Sequence, residues 1–168
     1  MIHLTPTLTA DKYTKHLYIN SFPKHERRLW TKQLELLKQN QLKLLKILNE
    51  EQEVGFIFYW QLNKFAFIEH FAIDPNARGG GIGSQVMNKV AEILKTIILE
   101  VEPPLTEMAK RRINFYERLG YQTFNDTYLQ PPYNPHNPPL ELRLMYLNLP
   151  SELTYEEVKN ELYSTVYK

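Results

Sequence analysis

The chain has 168 residues, 43% hydrophobic and 12% aromatic, a formal charge of +1 and no cysteine. That length suits one domain over 1–168, and the lack of cysteine removes disulfides, thiol nucleophiles and thiolate-held zinc. The near-neutral balance supplies no general field for nucleic acid or membrane, argues against a strongly charged pocket, and leaves any activity to a local site.

Ile2 to Leu8 reads as a first strand, followed by a helix from about Ala10 to Asn20. Pro23 suits the first position of a second helix reaching about Asn40, with Trp30, Leu34 and Leu37 as its apolar stripe. Two extended stretches, Leu42 to Leu48 and Val54 to Leu62, flank a charged hairpin turn. The run KFAFIEHFAIDP, rich in aromatic and branched residues and stopped by Asp-Pro, reads as a central strand. Simple alternation puts Phe65, Phe67, Glu69, Phe71 and Ile73 on one face and Ala66, Ile68, His70 and Ala72 on the other.

Four of the six glycines follow at once, in Arg78-Gly79-Gly80-Gly81-Ile82-Gly83-Ser84. Beyond them Ile82, Val86, Val90 and Leu94 recur every four residues, the mark of a helix with one buried face. Strand, glycine turn, helix is the order that receives a phosphate: free N–H groups at the helix start carry partial positive charge, and glycines let an anion approach without meeting a Cβ. Arg78 adds a cation. No Gly-Lys-Ser or Gly-Lys-Thr exists for a Walker loop, and a dinucleotide fingerprint would need a third glycine where Ser84 or Val86 stands.

A strand over Thr96 to Val101 comes next, with Glu100 and Glu102 on one face, and then a helix carrying Met108, Phe115, Tyr116 and Leu119 on one side and ending at Gly120. Thr127 to Leu142 holds five of eleven prolines, which excludes an interior strand and predicts a semi-rigid loop. Leu142, Leu144 and Tyr146 alternate in a closing strand. The tail has a capping box from Thr154 to Glu157 and a stripe of Tyr155, Val158 and Leu162, predicting a helix docked on the domain or on a second subunit, hence a homodimer as one expectation.

The turn at Arg78 to Gly83 matches [QR]-x-x-G-x-[GA], and INFYERLGY at Ile113 to Tyr121 resembles FYxKxGF; together, with the strand between them, they resemble the GNAT superfamily of acyl-CoA-dependent N-acyltransferases over roughly Phe65 to Tyr128. The resemblance implies a mixed α/β fold: a splayed, mostly antiparallel sheet of about seven strands flanked by helices, with a C-terminal helix. It implies acetyl-CoA as co-substrate, its pyrophosphate on Gly79, Gly80, Gly81, Ile82, Gly83 and Ser84 beside Arg78, and its pantetheine arm against the backbone of Phe71, Ala72 and Ile73. Glu69, standing among aromatics, is the expected base, with a pKa raised by desolvation or with a bridging water. A structural ion pair or hydrogen bond is the alternative for Glu69.

His70, on the opposite face by alternation, is expected to be structural or to line the substrate. Tyr116 is the expected proton donor to the departing thiolate, or else a core residue. Glu100 and Glu102 are candidates to orient the amine or relay its proton, or to pair with Lys110, Arg111 or Arg112. Tyr128, Tyr133 and His136 are candidates to touch the acceptor. One departure stands out: Ala109 occupies a position where many members carry an asparagine against pantetheine. No metal, nucleic acid or membrane partner is expected, the acceptor being a small-molecule or peptide amine and the location cytoplasmic. The competing readings are a nucleotide-cofactor oxidoreductase and a noncatalytic CoA-binding module.

Overall fold

A computed structural model describes residues 1–168. Strands β1 (Ile2–Thr7), β2 (Lys43–Asn49), β3 (Gln52–Gln61), β4 (Ala66–Ile73), β5 (Ile97–Val101), β6 (Gln122–Thr123), β7 (Tyr128–Gln130) and β8 (Leu140–Leu147) alternate with helices α1 (Lys12–Ser21), α2 (Trp30–Lys38), α3 (Ile82–Leu94), α4 (Glu107–Arg118) and α5 (Tyr155–Glu161). The sheet runs β1-β2-β3-β4-β5-β8-β6, with β7 also on β8. Every pairing is antiparallel except β4 with β5. Pro6 is accommodated because β1 is an edge.

Each face of the sheet carries its own core. On one, Tyr18, Leu36, Leu37, Val158 and Leu162 from α1, α2 and the C-terminal segment cover Phe56, Phe58 and Phe67. On the other, Val86, Met87 and Val90 of α3 and Ile113 and Tyr116 of α4 cover Ile57, Ile68, Ile97 and Leu99. Each such side chain contributes about 1.5–3 kcal/mol by leaving water. The capping box forms, with Glu157 N–H donating to the Thr154 hydroxyl and Thr154 N–H to the Glu157 carboxylate. Gly120, at φ +97°, follows α4 in the left-handed conformation that ends a helix.

The second helix is shorter than its sequence pattern predicts. Pro23 opens a single 3₁₀ turn over Lys24–Glu26, the chain is extended at Arg27, and α2 begins only at Trp30. Buried on it are Gln33, Leu36 and Leu37, while Leu34 is exposed. The break carries Arg28 inward: its N–H donates to the Tyr18 hydroxyl (3.1 Å) and its guanidinium to the Val166 carbonyl (2.9 Å), contacts a continuous helix would forfeit. On α4, likewise, Met108 is exposed, and Ala109, Ile113 and Tyr116 form the buried face. The proline-rich segment contributes β7 at its start and the first residues of β8 at its end, its five prolines lying in or beside the connection. The tail docks on its own chain, as the burial of Val158 and Leu162 shows.

Candidate active site

Strands β4 and β5 pair only from Ala66 to Ile68 against Ile97 to Leu99, and then part. At the parting point β4 carries a bulge: Phe58 faces His70 and Tyr59 faces Ile68, so Glu69 is the extra residue. This inverts the alternation expected from the sequence. Phe65, Phe67 and Ala72 share one core, Ala66, Ile68 and Ile73 the other, and His70 lies on the same side as the Glu69 side chain. His70 is wedged edge-on against Tyr18 and Phe22, with Nε2 3.0 Å from the Glu26 carbonyl oxygen. Burial lowers its pKa, outweighing the pull of Glu69.

The Glu69 side chain is 0% exposed and both its oxygens are engaged. Oε1 accepts from Arg28 at 2.7 Å and from the Trp60 indole at 2.8 Å; Oε2 accepts from the Tyr133 hydroxyl at 2.5 Å. Arg28, itself buried, is held over the Trp60 and Tyr133 rings. Burial pushes the Glu69 carboxyl up, but the Arg28 charge leads the effects that hold it below the ordinary glutamate value. The upward shift expected of Glu69 is therefore corrected: its neighbours are not only aromatic, and a guanidinium lies against it.

Glu100 stands one strand away with no cation paired to it. Its Oε1 accepts from Gln130 (2.9 Å), and the Tyr167 hydroxyl lies 2.8 and 2.9 Å from its two oxygens. Burial raises its pKa to about 7, and the hydrogen bonds offset that only in part. Glu102 is exposed, just beyond the strand. Neither carboxylate pairs with the basic run that follows: Lys110 sits by Glu107 (3.5 Å), and Arg111 and Arg112 line the cleft.

That cleft, about 630 Å³, runs from the glycine turn to the two carboxylates. Phe71, Ile73, Arg78, Gly79, Ile82, Gly83, Leu99, Phe115 and Tyr116 are on its walls. Gly79, Gly80 and Gly81 have φ of +103°, +62° and +75°, and a Cβ on any of them would meet nothing within 4 Å. These three glycines are required by backbone conformation and leave the turn open above, whereas Gly83 has no positive φ and packs against Phe115, whose ring a Cβ there would approach to 3.3 Å. Arg78 is anchored by Nε–H donating to the Ile73 carbonyl (3.2 Å). Ser84 follows in the first turn of α3, and the Ala72 side chain is buried in the core away from the cleft. Burial pushes the Tyr116 hydroxyl up to about 12, so it stays protonated at neutral pH. Ala109 is packed in the interior of α4.

A smaller hollow of about 100 Å³ adjoins the cleft, walled by Phe22, Glu26, Glu69, Glu100, Glu102, Arg112 and Tyr133. Tyr133 lines this hollow. Tyr128 does not: it is 0% exposed, a core residue whose hydroxyl lies toward Glu100 without an aligned bond. His136 is exposed at the loop tip. Four residues at the site carried no signal as such in the sequence: Arg28, Trp60, Gln130 and Tyr167.

Residues 41–123 match the family model for the acetyltransferase (GNAT) domain. A solved structure from Bacteroides thetaiotaomicron, assigned to the GNAT family as an acetyltransferase, is 37% identical, covers 98% of both chains and superposes with a TM-score of 0.93. The chain belongs to the GNAT family of acetyltransferases. The Bacillus subtilis (strain 168) protein YjbC, also assigned as an acetyltransferase, is 27% identical over 75 residues, 44% of this chain and 39% of that one, so the alignment spans well under half of the relative. The fold is shared at lower identity with a GNAT acetyltransferase of Elizabethkingia anophelis solved with acetyl-CoA bound, which is 14% identical, covers 88% of this chain and 98% of that one, and has a TM-score of 0.61. The Escherichia coli ribosomal-protein-S18-alanine N-acetyltransferase, 16% identical, covers 92% and 99% with the same TM-score. No helix is long and apolar enough to cross a membrane.

Proposed function

We propose that residues 1–168 act as one GNAT domain that moves the acetyl group of acetyl-CoA directly to a primary amine, with Glu100 rather than Glu69 as the base. The observation that carries this reading is a buried, cation-free carboxylate at the end of an open cleft that begins at three left-handed glycines. The diphosphate rests on the amides of the Gly79 to Ser84 turn, favoured by the start of α3 and by Arg78. Where β4 parts from β5, no strand pairs with β4 beyond Ile68 on that side, and the pantetheine amides run along the backbone of Phe71 to Ile73.

An ammonium with a pKa near ~10 must lose a proton before its nitrogen attacks. Glu100, titrating near neutrality, accepts it, while Glu69, held ionised by Arg28 with every oxygen occupied, keeps Tyr133 and Arg28 in place. The nitrogen adds to the thioester carbonyl and the C–N bond forms; as the intermediate collapses the C–S bond breaks, the Tyr116 hydroxyl gives its proton to the thiolate, and the second proton shed by the nitrogen passes to solvent, from which Tyr116 is reprotonated. The acceptor is a small-molecule or peptide amine, and an acetyl-CoA-dependent chain without cysteine fits the cytoplasm. Calorimetry with acetyl-CoA, followed by thiol release in the presence of amines, tests the proposal. Binding together with amine-dependent release is expected, and absence of binding by the folded protein would refute it.

A further inference from the structure

A second cavity of about 630 Å³ opens between the Lys24–Lys32 segment and the proline-rich loop, and shares Tyr133 with the hollow that holds the carboxylates. Its wall includes Lys24, His25, Arg27 and Lys32, with the amides of Asn134 and Asn137 across from them, and no carboxylate. The charge there is not cancelled from within. Lys24 and Arg27 have no ion-pair partner, Lys32 meets only the exposed Glu35 at 3.4 Å, and His25 reaches Glu26 only at 3.9 Å. Arg28, whose charge is taken up by Glu69, lines the cavity as well. The cavity also reaches Leu29, before the first turn of α2, which has no side-chain cap and no acidic residue. A chain with net charge +1 thus concentrates cations at one hollow, contrary to what its overall balance suggests.

Tyr133 lines both this basic cavity and the hollow that sets four carboxylates, Glu26, Glu69, Glu100 and Glu102, against one cation, Arg112. One residue therefore borders both a region suited to an ammonium and a region suited to an anion. Resting on the transferase reading above, we infer that the acceptor is a small molecule carrying both charges: a primary amine presented to Glu100, and a carboxylate or phosphate a few bonds away, held by Lys24, Arg27 and Lys32. The volume suits a small molecule, and charge-assisted hydrogen bonds to lysine, arginine and asparagine donors suit either oxyanion.

The test is a thiol-release assay with acetyl-CoA and four amines: butylamine, putrescine, γ-aminobutyrate and phosphoethanolamine. At least one of the two anionic amines should show a KM about tenfold or more below that of butylamine, and which one does distinguishes carboxylate from phosphate. In the K24Q/K32Q variant that advantage should shrink about five- to tenfold, with acetyl-CoA affinity by calorimetry confirming the fold. Equal or better use of butylamine or putrescine would overturn the inference, as would an unchanged advantage in the variant. A second readout needs no turnover. On titration of the protein alone with γ-aminobutyrate or phosphoethanolamine, NMR amide shifts are expected at Leu29, Asn134 and Asn137 and should weaken in K24Q/K32Q; shifts confined elsewhere, or none at millimolar ligand, count against it. Failure to bind acetyl-CoA would instead strike the transferase reading and leave the NMR result to decide this one.

Discussion

Glu69 and Glu100 sit on neighbouring strands at the same fork of the sheet, yet their surroundings give them opposite chemistry. Around Glu69 the chain has gathered a guanidinium, an indole and a phenol, so the carboxylate is ionised and fully engaged. Around Glu100 it has placed only neutral donors, Gln130 and Tyr167, which hold the group without stabilising its charge enough to offset burial. Burial alone raises both; a single cation decides which becomes a structural anchor and which can exchange a proton near neutral pH.

Glu100→Gln removes the group on which this contrast turns. In the proposed reaction it should lower kcat by about 10²- to 10⁴-fold, and a loss below threefold in a thiol-release assay would remove Glu100 as base. The same substitution should stabilise the fold at alkaline pH. Burial lifts the Glu100 pKa from the ordinary glutamate value of 4.5 to about 7 in the folded chain, so its contribution to stability is complete below about 4.5 and is lost as pH rises through 7. Glu100→Gln is spared that loss, so its melting temperature should exceed that of the natural protein by more at pH 8 than at pH 5.

For Glu69→Gln the expectation reverses. Leaving Arg28 buried without its partner should cost about 3–5 kcal/mol, read by urea unfolding; a cost under 1 kcal/mol would mean the ion pair is not the anchor described. Its folded pKa is lowered, so the stability it contributes is present above about 4.5 and declines as pH falls through the folded value. Gly80→Val, at φ +62°, should strain the turn by about 1–2 kcal/mol and place a side chain over the proposed diphosphate seat, weakening acetyl-CoA binding about tenfold by calorimetry. Tyr116→Phe should have the mildest effect on turnover, a fall in kcat of roughly threefold to tenfold, because a thiolate is a good leaving group; no change would assign Tyr116 to packing alone.

Much of the scaffold was legible because its signals are local. The Asp-Pro stop after β4, the left-handed glycines, the four-residue apolar repeat of α3, Gly120 and the Thr154–Glu157 box each act within a few residues of chain. What could not be read is set by partners far away in sequence. The bulge at Glu69 arises from register against β3, which no alternation count along β4 contains. Arg28 breaks a helical pattern because Tyr18, Glu69 and Val166 together offer more than the helix would. Tyr167 meets Glu100 across 67 positions. The glycine turn could thus be located at once, whereas the choice between the two glutamates needed the fold.

Whether Glu100 passes the amine proton is read from kcat/KM against pH for the natural protein and Tyr167→Phe. An acid limb with a midpoint near 7 is expected in the natural protein, moving to higher pH in the variant because the Tyr167 hydrogen bond lowers the Glu100 pKa. A flat profile, or a midpoint that Tyr167→Phe leaves in place, would contradict that role.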